Sequence, residues 1–308
     1  MKTWLIGLCA LLSACASTTS EAPQPPPAAL EASGTPITIG TSHMLQSAAL
    51  GDERQINVWL PADYGSAENA SRRYNVLYVL DGALDQDFQH IAGLGQLGAL
   101  SWTYETLIIV GVQTKDRRAE LTRRPHDARH AQEFPQAGGA RRFQDFLGNE
   151  VIPFIDARYR TGEGRALMGE SLAGLFVIDT LLHRPQLFRD YIAISPSLWW
   201  DNQHFARDGG RDLEGRAPSG TRLYLAIANE GGATQAGMDR FLALLDAAPR
   251  GSVTWRYSNR SGSDTHATIY HGAALDALRW LYGAPEPNYG PTPWYFLDEA
   301  ARPAAPAH

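Results

Sequence analysis

Cysteine is nearly absent from this chain: two occur among 308 residues, Cys9 and Cys15. Two thiols cannot build a disulfide scaffold or a four-cysteine metal site. A surplus of positive charge is missing too. Lys and Arg total 27 against 33 Asp and Glu, a formal net of −6, so the concentrated basic footprint of a nucleic-acid binder is lacking and no nucleic-acid partner is expected. Long apolar runs are also wanting. The N-terminal run Trp4–Leu12 is about half the roughly 20 residues that a membrane-spanning helix needs. What is present is globular: 44% of the residues are hydrophobic, with 29 Gly and 19 Pro, too apolar for a disordered chain.

Met1-Lys2, the short apolar run and Ser13-Ala14-Cys15 have the form of a secretory signal peptide, here residues 1–14. Leu12-Ser13-Ala14-Cys15 also resembles the bacterial lipobox. In that motif the cysteine thiol takes the lipid, and small residues before it let the peptidase reach the bond. Cys15 is thus the expected lipidation site, and an N-terminal lipid anchor the expected link to a membrane. Ala16 stands where the enterobacterial inner-membrane retention signal would place Asp. The expected location is therefore the bacterial cell envelope, as a periplasmic or outer-membrane lipoprotein. Residues 15–35, rich in Pro, Ser and Ala, read as the lipidated cysteine and its tether, and 286–308 as a Pro-rich tail. Residues 36–285 carry no repeat and no second linker, and suit one domain.

Within that domain, strand-length apolar runs alternate with helical patterns. The strand candidates are Gln55–Leu60, Asn75–Leu80, Leu107–Val112, Ala166–Met168, Tyr191–Ser195, Arg222–Ala228 and Val253–Tyr257. Runs such as LIIVGV and LYLAIA are apolar almost throughout, as strands buried on both faces of a parallel sheet must be. Helices are expected near 141–158, 172–183, 235–248 and 267–282. The alternation predicts an α/β fold, a mostly parallel central sheet flanked by helices, with its chemistry at the carboxyl ends of the strands.

Gly169-Glu170-Ser171-Leu172-Ala173-Gly174 lies between an apolar strand and an apolar helix. It nearly matches the nucleophile elbow G-x-S-x-G, whose turn is so sharp that only tiny residues fit two before and two after the serine. Ala173 replaces the final glycine at the cost of one methyl. Ser171 is the expected nucleophile. A serine hydroxyl needs a base, and His266, after the last strand and just before a helix, holds the station of the base in hydrolase chain order. An acid should orient that imidazole. Glu230, at the end of strand 222–228, is favoured, with Asp264 as the rival. Donors for a developing oxyanion are expected in the amides of Leu172 and of Ala83, which follows the turn Asp81-Gly82.

Several segments together resemble the α/β-hydrolase esterases that include esterase D, the mycolyl-transferring antigen 85 proteins and the siderophore trilactone esterases. They are Val79-Leu80-Asp81-Gly82, Asp116–Thr122, Phe154–Arg160, the elbow, and Ala193-Ile194-Ser195-Pro196-Ser197-Leu198-Trp199-Trp200-Asp201. The last is particularly similar to the siderophore-esterase branch. The resemblance covers roughly 40–283 and implies the α/β-hydrolase fold, an ester-cleaving Ser-acid-His triad at Ser171, Glu230 and His266, oxyanion donors at Ala83 and Leu172, and no metal or organic cofactor. The expected activity is serine carboxylic ester hydrolysis of a small molecule, with a siderophore trilactone as one substrate class. Acyl or acetyl ester cleavage on carbohydrate or aryl compounds is the alternative, and a non-catalytic surface lipoprotein that binds a ligand on a hydrolase scaffold is the reading of another class. Trp199 and Trp200 are expected to line the substrate pocket. The arginines at 117–124 are placed either to meet an anionic substrate or to be held by Asp116 and Glu120. His126 and His130 are four apart with no third ligand apparent, so no metal is expected.

Overall fold

Runs that are apolar throughout can only be strands with both faces covered, and they form the centre of the sheet in the computed structural model, which describes residues 34–209, 217–249 and 253–285. Every element named here lies in the unit Ile39–His308. The signal peptide, Cys15, most of the tether and the Pro-rich tail lie outside the described residues.

The strands are β1 (Thr41–Gln46), β2 (Glu53–Trp59), β3 (Tyr74–Leu80), β4 (Ile108–Val112), β5 (Thr161–Glu170), β6 (Asp190–Ile194), β7 (Arg222–Ile227) and β8 (Thr254–Asn259). They join in the order β1-β2-β4-β3-β5-β6-β7-β8. β2 runs antiparallel to both β1 and β4, and every pairing from β4 to β8 is parallel. This is the expected α/β-hydrolase fold.

The helices are α1 (Phe88–Ser101), α2 (Arg117–Leu121), α3 (Ala128–Glu133), α4 (Ala140–Phe146), α5 (Ile152–Asp156), α6 (Leu172–His183), α7 (Trp200–Asp208), α8 (Gly232–Ala247) and α9 (Ile269–Tyr282). One core packs α4, α6 and α8 on one sheet face, through Phe143, Phe146, Phe176 and Phe241. The other packs α1 and α9 on the opposite face, through Ile91, Leu94, Ala277 and Leu278. Each such large side chain contributes about 1.5–3 kcal/mol by leaving water.

The single helix expected over 141–158 is α4 and α5 joined by a π-helical turn, Leu147–Val151. β5 is longer than the three residues legible in the sequence. Between β3 and β4 close approach demands glycine: a Cβ on Gly82 would sit 2.3 Å from the Gly111 Cα. That contact lets the chain leave β3 and turn across the carboxyl edge of the sheet, where the candidate site lies.

Candidate active site

Ser171 lies between β5 and α6 with φ 61° and ψ −119°, a conformation that costs a non-glycine residue about 1–3 kcal/mol. The surroundings hold it there. Its N–H donates to the Ile194 carbonyl at 3.0 Å, and its own carbonyl accepts from the Leu175 and Ser197 amides at 2.9 and 3.0 Å. Gly169 is obligatory, because a Cβ there would fall 2.7 Å from the Ala173 backbone. Ala173 itself is fully buried, so the departure from the commoner glycine is accommodated by the bare Gly169 opposite.

Ser171, Leu172, Trp199, Trp200, Glu230 and His266 line one cavity of about 310 Å³, together with Arg117, Arg118, Ser195, Ser197 and Thr234. His266 Nδ1 lies 2.7 Å from Glu230 Oε1. The same oxygen accepts from the Ser195 hydroxyl at 2.7 Å, and that hydroxyl accepts from the Ala228 amide at 3.2 Å. Glu230 is therefore fixed from β6 and from β7 at once. Asp264 faces elsewhere: Arg260 Nε and the Ser263 hydroxyl donate to its carboxylate at 2.8 and 2.9 Å, which holds it below the usual carboxylate range, the serine bond leading.

Ala83 is placed differently from the residues it was expected to join. Its amide is buried and donates to Gln86 Oε1 at 3.0 Å, and Ala83 is not among the residues lining the Ser171 cavity. One N–H makes one good hydrogen bond, so this amide reaches an oxyanion only when Gln86 releases it. Leu172 lies in the cavity wall.

The side chains of Arg117, Arg118 and Arg123 likewise meet other partners than Asp116 and Glu120. Glu120 forms a two-pronged pair with Arg54 at 2.9 and 2.7 Å, and Asp116 caps α2 through the amides of Arg118 and Ala119. Arg123 pairs with the buried Asp179 at 2.6 Å. Arg117 reaches Asp81 Oδ2 at 2.9 Å and the Glu170 carbonyl at 3.0 Å, bridging the end of β3 to the elbow. Arg118 packs over the Phe134 ring, 5.1 Å from its centroid. Both Arg117 and Arg118 present positive charge to the cavity. Trp200 is buried against Phe134, ring centroids 5.0 Å apart, while Trp199 is only half-buried.

Two residues of the site escape a motif-based reading. Ser195 sits in the segment after β6, and only contact with Glu230 reveals its part. Glu170 occupies the free position of the elbow motif, yet its Oε1 lies 3.1 Å from His266 Nε2. The imidazole is thus held between two carboxylates, with Nε2 turned to Glu170. Glu170 also borders a second cavity of about 400 Å³, lined by Asp87, His90, Arg117, His266, Tyr270 and His271 among others.

Burial is the main cause that pushes Glu170 up to about 7, opposed by His266 and Arg117 and assisted by Asp87 and Asp81. Between pH about 4.5 and about 7 the folded chain therefore keeps a proton on Glu170 that the unfolded chain has released. Stability falls as pH rises through that window. Glu170→Gln carries no such proton. Its stability relative to the parent is expected to rise by on the order of 2 kcal/mol across the window, read by urea unfolding at several pH values. A pH-independent difference would show that Glu170 titrates normally.

An elbow serine, an imidazole on a carboxylate and a cavity at the carboxyl edge of an α/β sheet define a serine-hydrolase class of site. Comparison with known proteins agrees. Residues 47–273 match the family model described as "Putative esterase", and the chain belongs to this family. It is 31% identical over 180 residues to a siderophore enterobactin esterase of Emericella nidulans, a match covering 53% of this chain and 59% of that one. It is 40% identical over 85 residues to the ferri-bacillibactin esterase BesA of Bacillus subtilis, 27% of this chain and 28% of that one. Among solved structures, an IroE-like serine hydrolase from Shewanella oneidensis superposes with a TM-score of 0.69 at 27% identity, covering 79% of this chain and 80% of that chain. The BES protein from Bacillus cereus shares the fold, with a TM-score of 0.70 at 21% identity over 83% of this chain and 100% of that one.

Proposed function

We propose that this chain hydrolyses a siderophore ester, of the trilactone class, through a Ser171-His266-Glu230 triad. The observation that carries the reading is the His266 Nδ1–Glu230 Oε1 contact of 2.7 Å in the cavity that also holds Ser171. A carboxylate there fixes the tautomer with the Nε2 lone pair free and stabilises the imidazolium that forms. In the reacting complex Nε2 leaves Glu170 for the Ser171 hydroxyl. Ser171 Oγ then attacks the ester carbonyl as its proton passes to Nε2, and the Leu172 amide receives the oxyanion. Collapse expels the alcohol, which takes the proton from His266. Water, deprotonated by the same nitrogen, cleaves the acyl-enzyme to carboxylic acid and free serine.

The substrate class rests on the rim. Arg117 and Arg118 supply positive charge, and Trp199 a half-buried aromatic face, a pairing suited to an anionic aryl ligand such as a ferric catecholate. Two named siderophore esterases among the relatives support the same choice.

The test pairs covalent labelling with a substrate comparison. A fluorophosphonate is expected to label the native chain at Ser171. A ferric triscatecholate trilactone is expected to be cleaved with higher kcat/KM than p-nitrophenyl acetate or butyrate. Arg118→Ala should raise KM for the ferric trilactone about tenfold and leave the uncharged esters unaffected. Labelling without trilactone cleavage would keep the esterase and reject the substrate. An unlabelled Ser171 would favour the ligand-binding lipoprotein.

A further inference from the structure

His126 and His130, four apart in sequence, part company in the fold. The His130 ring stacks toward Trp200, and its Nδ1 accepts from the Asn202 amide at 3.2 Å. His126 instead meets two residues of α7, Asp201 and His204. One ring nitrogen of His126, one of His204 and one oxygen of Asp201 lie within 4.8 Å of one another. His130 drops out of the set, and the other two ligands are thus supplied from some 75 residues away along the chain.

The donor set is organised around a buried carboxylate. Asp201 Oδ1 accepts from the His126 and Asp127 amides, each at 2.8 Å. Those bonds tie the loop to α7 and fill one oxygen. Oδ2 has His126 Nδ1 as its partner, at 2.8 Å. A cation on Oδ2 would therefore replace an exchangeable contact and leave the structural ones intact. When Nδ1 ligates, its proton moves to Nε2, which solvent reaches because the His126 side chain is 74% exposed. The second ring is oriented as well: His204 Nδ1 lies 3.1 Å from Asp208 Oδ2, which leaves Nε2 to ligate. A carboxylate behind a ligating imidazole fixes its tautomer and raises its basicity. The two imidazoles stand 4.7 Å apart between ring centroids.

The backbone that brings these groups together is unusual. Asp201, Asn202 and Gln203 all have positive φ, at 48°, 51° and 63°. This left-handed turn is pinned by Asp201 on the 126–127 amides, by Asn202 on His130 and by Gln203 Nε2 on the Ala233 carbonyl. The carboxylate end of the set is therefore rigid, and the two exposed rings supply the adjustment. Tetrahedral donors around Zn²⁺ stand about 3.4 Å apart, a contraction within reach of two surface imidazoles turning about their own torsions.

We propose that His126, Asp201 and His204 form a binding site for one divalent transition cation of the Zn²⁺, Co²⁺ or Ni²⁺ kind, with water completing the shell. Two imidazoles and one carboxylate suit such borderline ions and disfavour Mg²⁺ or Ca²⁺, which take oxygen ligands. The site lies outside the proposed triad. Bound metal would cross-link the segment leading into α3 to α7, whose first residue, Trp200, lines the Ser171 cavity.

The test uses the full chain without a histidine tag, stripped with EDTA and titrated with Co²⁺, then competed with Zn²⁺. One equivalent of Co²⁺ is expected to give the visible absorption of nitrogen-bearing coordination, bleached by one equivalent of Zn²⁺, with Mg²⁺ inert. His126→Ala and His204→Ala should each weaken binding at least tenfold, and Asp208→Asn about tenfold, while His43→Ala, on β1 against Phe154 and Tyr159, leaves it unchanged. Asp201 is kept, since its loss would free the loop. An unperturbed titration in both His126→Ala and His204→Ala, or no stoichiometric binding by the parent chain, overturns the site. Neither outcome bears on ester hydrolysis, which is read separately by labelling at Ser171.

Discussion

Ser171→Ala and His266→Ala are each expected to lower kcat about 10⁵–10⁶-fold, and the double variant to lose no more than either alone. The reason is that the two side chains perform one act. Without the imidazole the hydroxyl keeps its proton, and without the hydroxyl the imidazole has no nucleophile to activate. Single-turnover release of p-nitrophenol, with labelling to exclude parent contamination, measures the loss. Losses that multiply in the double variant would mean that His266 serves Ser171 only indirectly. Stability separates the same variants in another direction. Ser171 is held at φ 61°, ψ −119°, where glycine has no Cβ to clash. Ser171→Gly should therefore be as inactive as Ser171→Ala and more stable than it by about 1 kcal/mol, seen as a higher denaturation midpoint. That ordering is the signature of an elbow strained for presentation of the hydroxyl.

The parts of the fold that periodicity could reveal are those whose environment is uniform along the element. β4, and β7 after its first residue Arg222, are buried on both faces, so no charged side chain fits there, and the sequence shows it. α6, almost wholly buried, is equally plain. β1 is an edge strand whose exposure alternates without a clean apolar face, and no run betrays it. α1 is masked by Gly93, Gly95 and Gly98, which are poor helix formers. Two of these are small because neighbours press in: a Cβ on Gly95 would meet Ile109 at 2.5 Å and one on Gly98 would meet Tyr104 at 2.2 Å. Helix propensity yields there to packing against the sheet. In the site, the residues that follow a strand in the fixed order of the hydrolase chain were legible, because topology alone assigns their stations. Ser195, Glu170 and the His126–His204 pair were not, since each depends on a contact between segments far apart in the chain that sequence spacing does not encode. Glu170 could have been suspected, being a carboxylate inside the elbow motif itself.

Glu230→Gln tests the one assignment for which the sequence left a rival, and it is expected to lower kcat about 10⁴-fold. The amide keeps the size of the side chain and can still accept the Ser195 hydroxyl at Oε1, so the fold is preserved. What it loses is charge. A neutral amide cannot stabilise the imidazolium beside it, and when the amide flips, its NH₂ takes the place of Oε1, presents a donor to Nδ1 and selects the wrong tautomer. Asp264→Asn should cost little activity, because that carboxylate is engaged by Arg260 and Ser263. Its effect belongs to the loop before His266, where the Asp264 carbonyl receives the Asn229 amide. Ser195→Ala falls between the two. It removes one of two donors from Glu230 Oε1 and leaves the other, His266, in place, so a loss of about tenfold is expected with KM unchanged. The three kcat values measured at one pH on the same uncharged ester decide the matter. A large loss in Asp264→Asn with a small one in Glu230→Gln would transfer the acid to residue 264 and turn the 2.7 Å contact with His266 into a structural one.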